Sequence, residues 1–136
     1  MRKIVFLVVH CTATAKSATV SSNKKYWKEN LGWKSVGYHI IIEPDGTINR
    51  LAEDSKITNG VKGFNSTSLH VSYIGGVDRD GKAQDTRTEE QKESLLKVLK
   101  EWKKMYPDAV IQGHRDFVNV SKKCPSFNAK KEYEAL

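Results

Sequence analysis

Several protein classes are excluded by what this chain of 136 residues has little of. It carries two cysteines, Cys11 and Cys124, so it is not a disulfide scaffold, although a single bridge between them stays open on arithmetic alone. No apolar run approaches a membrane span. The longest, Ile4-Val5-Phe6-Leu7-Val8-Val9, is too short and no small-residue cleavage site follows it. The expectation is therefore synthesis and retention in the cytoplasm until something releases the protein. There are only three prolines, and no internal repeat, linker or low-complexity stretch, so a solenoid is excluded and one domain over residues 1–136 is expected. HExxH and paired CxxC patterns are missing as well.

What is present is apolar material for a core and an excess of positive charge. Hydrophobic residues make up 38%, enough for one compact domain. The formal net charge is +7. The lysine excess is spread over pairs, Lys24-Lys25, Lys103-Lys104, Lys122-Lys123 and Lys130-Lys131, rather than forming a stripe with interleaved aromatics. No nucleic-acid-binding motif accompanies it. Two readings remain: a solvated surface with surplus lysine, or attraction to a polyanion such as a cell wall.

The hydrophobic pattern predicts a buried strand over 3–10 and a polar loop over 12–21. A short helix follows to Asn30, capped by Ser22 or Asn23 and stopped at Gly32, with Tyr26 and Trp27 turned inward. A strand over 37–43, the turn Pro44-Asp45-Gly46 and a return over 47–50 make a hairpin. Strand alternation would then set Tyr38, Ile40 and Ile42 on one side. A loop over 58–68 leads to a strand over 70–74. The clearest helix runs from Thr88 to about Tyr106, with Thr88 and Gln91 as a capping box, Glu89 and Glu90 in its first turn, and Leu95, Leu96, Leu99 and Trp102 as its apolar stripe. Val110-Ile111 is a short buried strand, and the tail past Phe127 a short helix. Strands alternating with helices predict an α/β domain: a central mixed sheet flanked by helices.

His10 ends the first strand and His114 follows the last one, so both imidazoles can meet at one edge of the sheet, where ligands gather in such folds. With Cys124 they offer a His, His, Cys set that suits tetrahedral zinc with one position left for water. Taken singly, each has a plainer reading, a satisfied polar residue at a strand end or a half-buried thiol. Cys11, next to His10 on a strand, faces the other way and reads as a small apolar core residue. Lys122 is near enough in sequence to lower the Cys124 pKa. Tyr38 is either a core aromatic bonded to backbone or a phenol poised over a metal. Asp116 is either a fourth ligand or a turn cap. Asn65-Ser66-Thr67 matches a glycosylation acceptor, which carries little weight in a chain expected to lack a secretory signal.

Five segments occur in order: Val8-Val9-His10-Cys11-Thr12-Ala13-Thr14; Val36-Gly37-Tyr38-His39-Ile40-Ile41-Ile42 with Asp45-Gly46-Thr47; Lys62-Gly63-Phe64-Asn65 with Ile74-Gly75-Gly76; Gly113-His114-Arg115-Asp116; and Lys122-Lys123-Cys124-Pro125-Ser126-Phe127. As an ordered set spanning 3–127, they resemble the type 2 N-acetylmuramoyl-L-alanine amidases, above all the small phage lysozymes of that group, which share a fold with peptidoglycan recognition proteins. The resemblance implies a zinc enzyme that hydrolyses the amide between the lactyl group of N-acetylmuramic acid and the L-alanine of the stem peptide. It implies His10, His114 and Cys124 as zinc ligands, and Tyr38 and Lys122 as catalytic residues. It implies peptidoglycan as substrate and a phage or prophage endolysin that reaches the wall after release; a monomer is the expectation for the chain itself. Two other roles known in the superfamily stay open: a non-catalytic peptidoglycan-binding module, and a partner protein that inhibits an RNA polymerase. The chain departs from the resembled pattern at Gly60, where a His is usual, at His70, where a Gly is usual, and in a longer 114–122 loop. The Gly60 departure bears on substrate contacts, and His70 is expected only as a surface residue on a strand.

Overall fold

The aliphatic run near the N-terminus becomes β1 (Phe6–Cys11), fully enclosed from Leu7 onward, as expected of a strand with parallel neighbours on both sides. A computed structural model of the chain describes residues 2–118 and 120–136. The other strands are β2 (Ile40–Ile42), β3 (Ile48–Arg50), β4 (Ser68–Tyr73) and β5 (Val110–Gly113). They form one sheet in the order β3-β2-β4-β1-β5. Every neighbouring pair is parallel except the β2–β3 hairpin, so the sheet is mixed, as the sequence predicts.

The two faces of the sheet differ in chemistry, and this places the site. Leu7, Val9 and Cys11 of β1 and Leu69, Val71 and Tyr73 of β4 face the main core. There they meet Leu95, Val98, Leu99 and Trp102 of α2 (Glu89–Met105, numbered after α1 below). The alternate residues, His10 of β1 with Ser68, His70 and Ser72 of β4, are buried on the opposite face. That face is covered by two small aromatic clusters, one around Trp27, Ile41 and Ile74 and one around Val8, Val61 and Phe117.

The helices form where propensity and caps allow. The first helix, α1 (Val20–Lys25), is capped by Thr19 in a reciprocal box with Ser22, not by Ser22 or Asn23. It widens into a π turn over Tyr26–Asn30. The earlier start and the wider turn rotate Tyr26 outward, to 51% exposure, while Trp27 stays buried. α2 has the predicted Thr88–Gln91 box. Its buried stripe is Leu95, Val98, Leu99 and Trp102 at i, i+3, i+4 and i+7, which leaves Leu96 on the rim. A last helix, α3 (Ala129–Glu132), docks against the core through Ala129.

Two expectations are corrected near the second strand. β2 is shorter than predicted, because Gly37 lies against the Trp27 ring with no room for a Cβ and the chain bends before it joins the sheet. Tyr38 consequently sits on the Ile41 side, edge-on to Trp27 at 5.4 Å, and not with Ile40 and Ile42. His70 is not a surface residue; it is entirely buried.

Candidate active site

The site is assembled at the C-terminal ends of β1 and β5. Alternation along β1 turns His10 away from the main core, and its ring packs among Tyr38, His70 and His114 at centroid distances of 4.7, 4.9 and 4.9 Å. β5 stops at Gly113, and a 3-10 turn over His114–Asp116 carries the second imidazole. The Asp116 carboxylate accepts the Gly113 N–H at 2.8 Å, so Asp116 caps this turn and is not grouped with the metal-type donors. Gly113 has no space for a Cβ against the Pro125 ring. The absence of a side chain there lets the 124–125 segment lie over the end of β5, held by the Arg115 N–H donating to the Cys124 carbonyl at 2.8 Å.

Cys124 is thereby brought to His10. Its Sγ is 3.8 Å from His10 Nδ1 and accepts the Cys11 backbone N–H at 3.2 Å. One donor atom from each of His10, His114 and Cys124 lies within 4.8 Å of the others. Both cysteines are free thiols, so no bridge joins them. Cys11 packs into the core as predicted, while its backbone N–H reaches Cys124 Sγ and its thiol lies beside that sulfur.

Electrostatics favours lone pairs over protons here. Burial, followed by repulsion from His70, His114 and Lys122, drives the His10 pKa well below its ordinary value. His114 is pulled down to about 4 by burial and by Lys122. Both imidazoles are therefore neutral at neutral pH. The neighbouring Cys11 thiol and burial hold the Cys124 thiol up, and a bound cation would reverse this. Two neutral nitrogens and a sulfur at this spacing fit zinc, with a fourth position left over.

Beside these donors opens a cleft of about 690 Å³, walled by Trp33, Asn59 and Phe64 and, on the donor side, by Tyr38, His114 and Lys122. Tyr38 keeps its hydroxyl 3.5 Å from the Cys11 carbonyl. Burial and the nearby thiols push its pKa well above the usual value, so it stays protonated. Lys122 is exposed at the rim of the cleft. The 114–122 loop contributes Val118 and Val120 to the same wall.

Two residues missed by sequence reasoning complete the arrangement. His70 Nδ1 is 2.8 Å from His10 Nε2, and His70 Nε2 is 2.9 Å from Asn65 Oδ1. The alternating polar row Ser68-x-His70-x-Ser72 in an otherwise apolar strand was the available signal. A Cβ built on Gly60 would fall inside the His70 ring, so the two departures from the resembled pattern are one contact.

With this geometry in hand, comparison with known proteins places the chain in a class. The family model for N-acetylmuramoyl-L-alanine amidases matches residues 1–127, and the chain belongs to that family. It is 37% identical over 129 residues to an endolysin of Klebsiella phage KP32, covering 94% of this chain and 84% of the relative. It is 39% identical over 124 residues to an endolysin of Enterobacteria phage K11, covering 90% and 81%. Among solved structures, the Ph2119 endolysin from the Thermus scotoductus MAT2119 bacteriophage superposes with a TM-score of 0.79 at 23% identity, over 92% of this chain and 79% of that one. Drosophila PGRP-LB superposes with a TM-score of 0.80 at 15% identity, over 99% and 82%. The fold is that of the amidases and peptidoglycan recognition proteins, and the activity is that of an N-acetylmuramoyl-L-alanine amidase endolysin.

Proposed function

We propose that this amidase is zinc-dependent, that one catalytic domain spans the chain, and that it cleaves the lactyl–L-alanine amide of peptidoglycan once it reaches the wall. The observation that carries the reading is the convergence of His10, His114 and Cys124, from opposite ends of the sequence, beside a cleft that His114 helps to line. His10, His114 and Cys124 would hold the zinc, whose charge, when bound, would acidify water and polarise an amide carbonyl. The chain's own groups do the rest. The cleft, with Trp33 and Phe64 in its wall, is where the muramyl-peptide would lie. Tyr38, held protonated, donates a hydrogen bond and does not serve as a base at neutral pH. Lys122 brings positive charge to the rim where negative charge develops on the carbonyl oxygen.

Wall hydrolysis by the purified protein tests the reading, with new N-terminal L-alanine as the readout. The expected result is release that stops with a chelator and returns with added zinc. Release that survives removal of the metal would overturn zinc dependence.

A further inference from the structure

The hydrogen bonds beneath His10 can be followed one proton at a time, starting from a backbone group whose chemistry is fixed. The Val61 N–H donates to Asn65 Oδ1 at 2.8 Å, which identifies that atom as the amide oxygen. An oxygen only accepts, so His70 Nε2, 2.9 Å away, must carry a proton and donate it. His70 is entirely buried, and its side-chain partners are an amide and an imidazole with no carboxylate among them, so its ring is neutral. Its Nδ1 is then a bare acceptor. His10 Nε2, at 2.8 Å, is accordingly the donor, and the lone pair of His10 is left on Nδ1, the atom that faces Cys124 Sγ at 3.8 Å.

We propose that His70 is a positioning residue for the metal centre: through the Asn65–His70–His10 chain it fixes the tautomer and ring orientation of His10, with its Nδ1 presented to zinc. The inference rests on the zinc reading above. Outer partners of this kind are known to orient metal-binding imidazoles. Here the partner is a second histidine on the neighbouring strand, at the Val8 level, one pleat before Ser72, which pairs with His10. Two features hold it in place. Its backbone N–H donates to His39 Nδ1 at 3.1 Å. Gly60 leaves open the volume that the ring fills, and any side chain there would displace it. Gly60 therefore serves the metal centre without touching it.

The test is zinc affinity, measured by competition with a chromogenic chelator, together with long-range nitrogen–proton NMR of the imidazoles in the zinc-loaded wild-type protein. His70→Leu, which keeps bulk but removes the acceptor, is expected to weaken zinc binding about 10–100-fold. His70→Asn, which restores an acceptor near the position of Nδ1, recovers most of that loss. Gly60→Ala weakens binding in the same direction as His70→Leu. In wild-type protein the spectra should show His10 protonated at Nε2 and His70 protonated at Nε2. Unchanged zinc affinity in His70→Leu, or a His70 ring protonated at Nδ1, would overturn the proposal while leaving zinc dependence intact. A wild-type protein that binds no zinc would overturn both. The NMR arm needs no variant, so poor folding of His70→Leu does not remove the test.

Discussion

At the scale of single residues, the chain uses its four histidines for different tasks by giving each a different set of partners. His39 is the structural one. Its Nδ1 accepts the His70 N–H and its Nε2 donates to the Lys56 carbonyl at 2.8 Å, so it must be neutral to fit. Burial leads the causes that lower its pKa from 6.5 to about 4. A basic group with a depressed folded pKa binds protons better in the unfolded chain. Its full contribution is present above pH 6.5 and is lost as pH falls toward about 4. The loss is on the order of 2–3 kcal/mol. Urea midpoints across that window should fall with acid in the wild-type protein and fall less steeply in His39→Gln. Lys122 is the counter-example, an exposed residue at the cleft rim for which the proposed mechanism uses only the charge. Lys122→Ala should lower turnover about 10²–10³-fold with little change in thermal midpoint, and undiminished turnover would remove it from the mechanism. At this scale the His10, His114 and Cys124 set was legible in the sequence because each sits at a strand end or beside a proline. For His70 the polar row Ser68-x-His70-x-Ser72 signalled a shared face, but its partners were not legible, because they depend on the space at Gly60, ten residues away.

At the scale of elements, α2 shows why some boundaries are written in the sequence and others are not. Thr88 accepts the Gln91 N–H at 3.0 Å and donates its own hydroxyl proton to the Pro44 carbonyl at 2.6 Å. Gln91, fully buried, returns the capping bond to the Thr88 N–H and donates from Nε2 to the carbonyls of Ile42 and Ile74. One local motif thus both starts the helix and ties it to the ends of β2 and β4. Thr88→Ala should cost about 1–2 kcal/mol by chemical denaturation, and a null effect would show that Gln91 alone anchors the helix. The start of α2 could be read because a capping box is local. The length of β2 could not, since the bend at Gly37 is imposed by a distant indole. The same holds for α1, where the π turn, a tertiary adjustment, turned Tyr26 outward against its sequence pattern.

At the scale of the whole molecule, charge and connectivity decide how the enzyme meets its substrate and how it comes to exist. The net charge of +7 lies on exposed lysines, so attraction to an anionic wall should weaken as salt shortens the Debye length. Pull-down on purified walls should therefore decline between low and physiological salt, whereas turnover of a small soluble muramyl-peptide should change little. Near the C-terminus, buried Arg87 is clasped by Asp85 at 2.9 Å and Glu132 at 2.7 Å and lies over the Phe127 ring, which fastens α3 to the body of the protein. Mixed topology and helix layers were legible in the sequence as alternating elements. The order of strands was not, because it depends on pairings between distant segments. That order has a consequence for synthesis. β1 is made before β5, which pairs with one of its edges about a hundred residues later, and Cys124 is 114 positions from His10. A nascent chain therefore carries an open strand edge and a half-made donor set until the segment through Cys124 has been made, and the three donors meet only when that segment closes over β1.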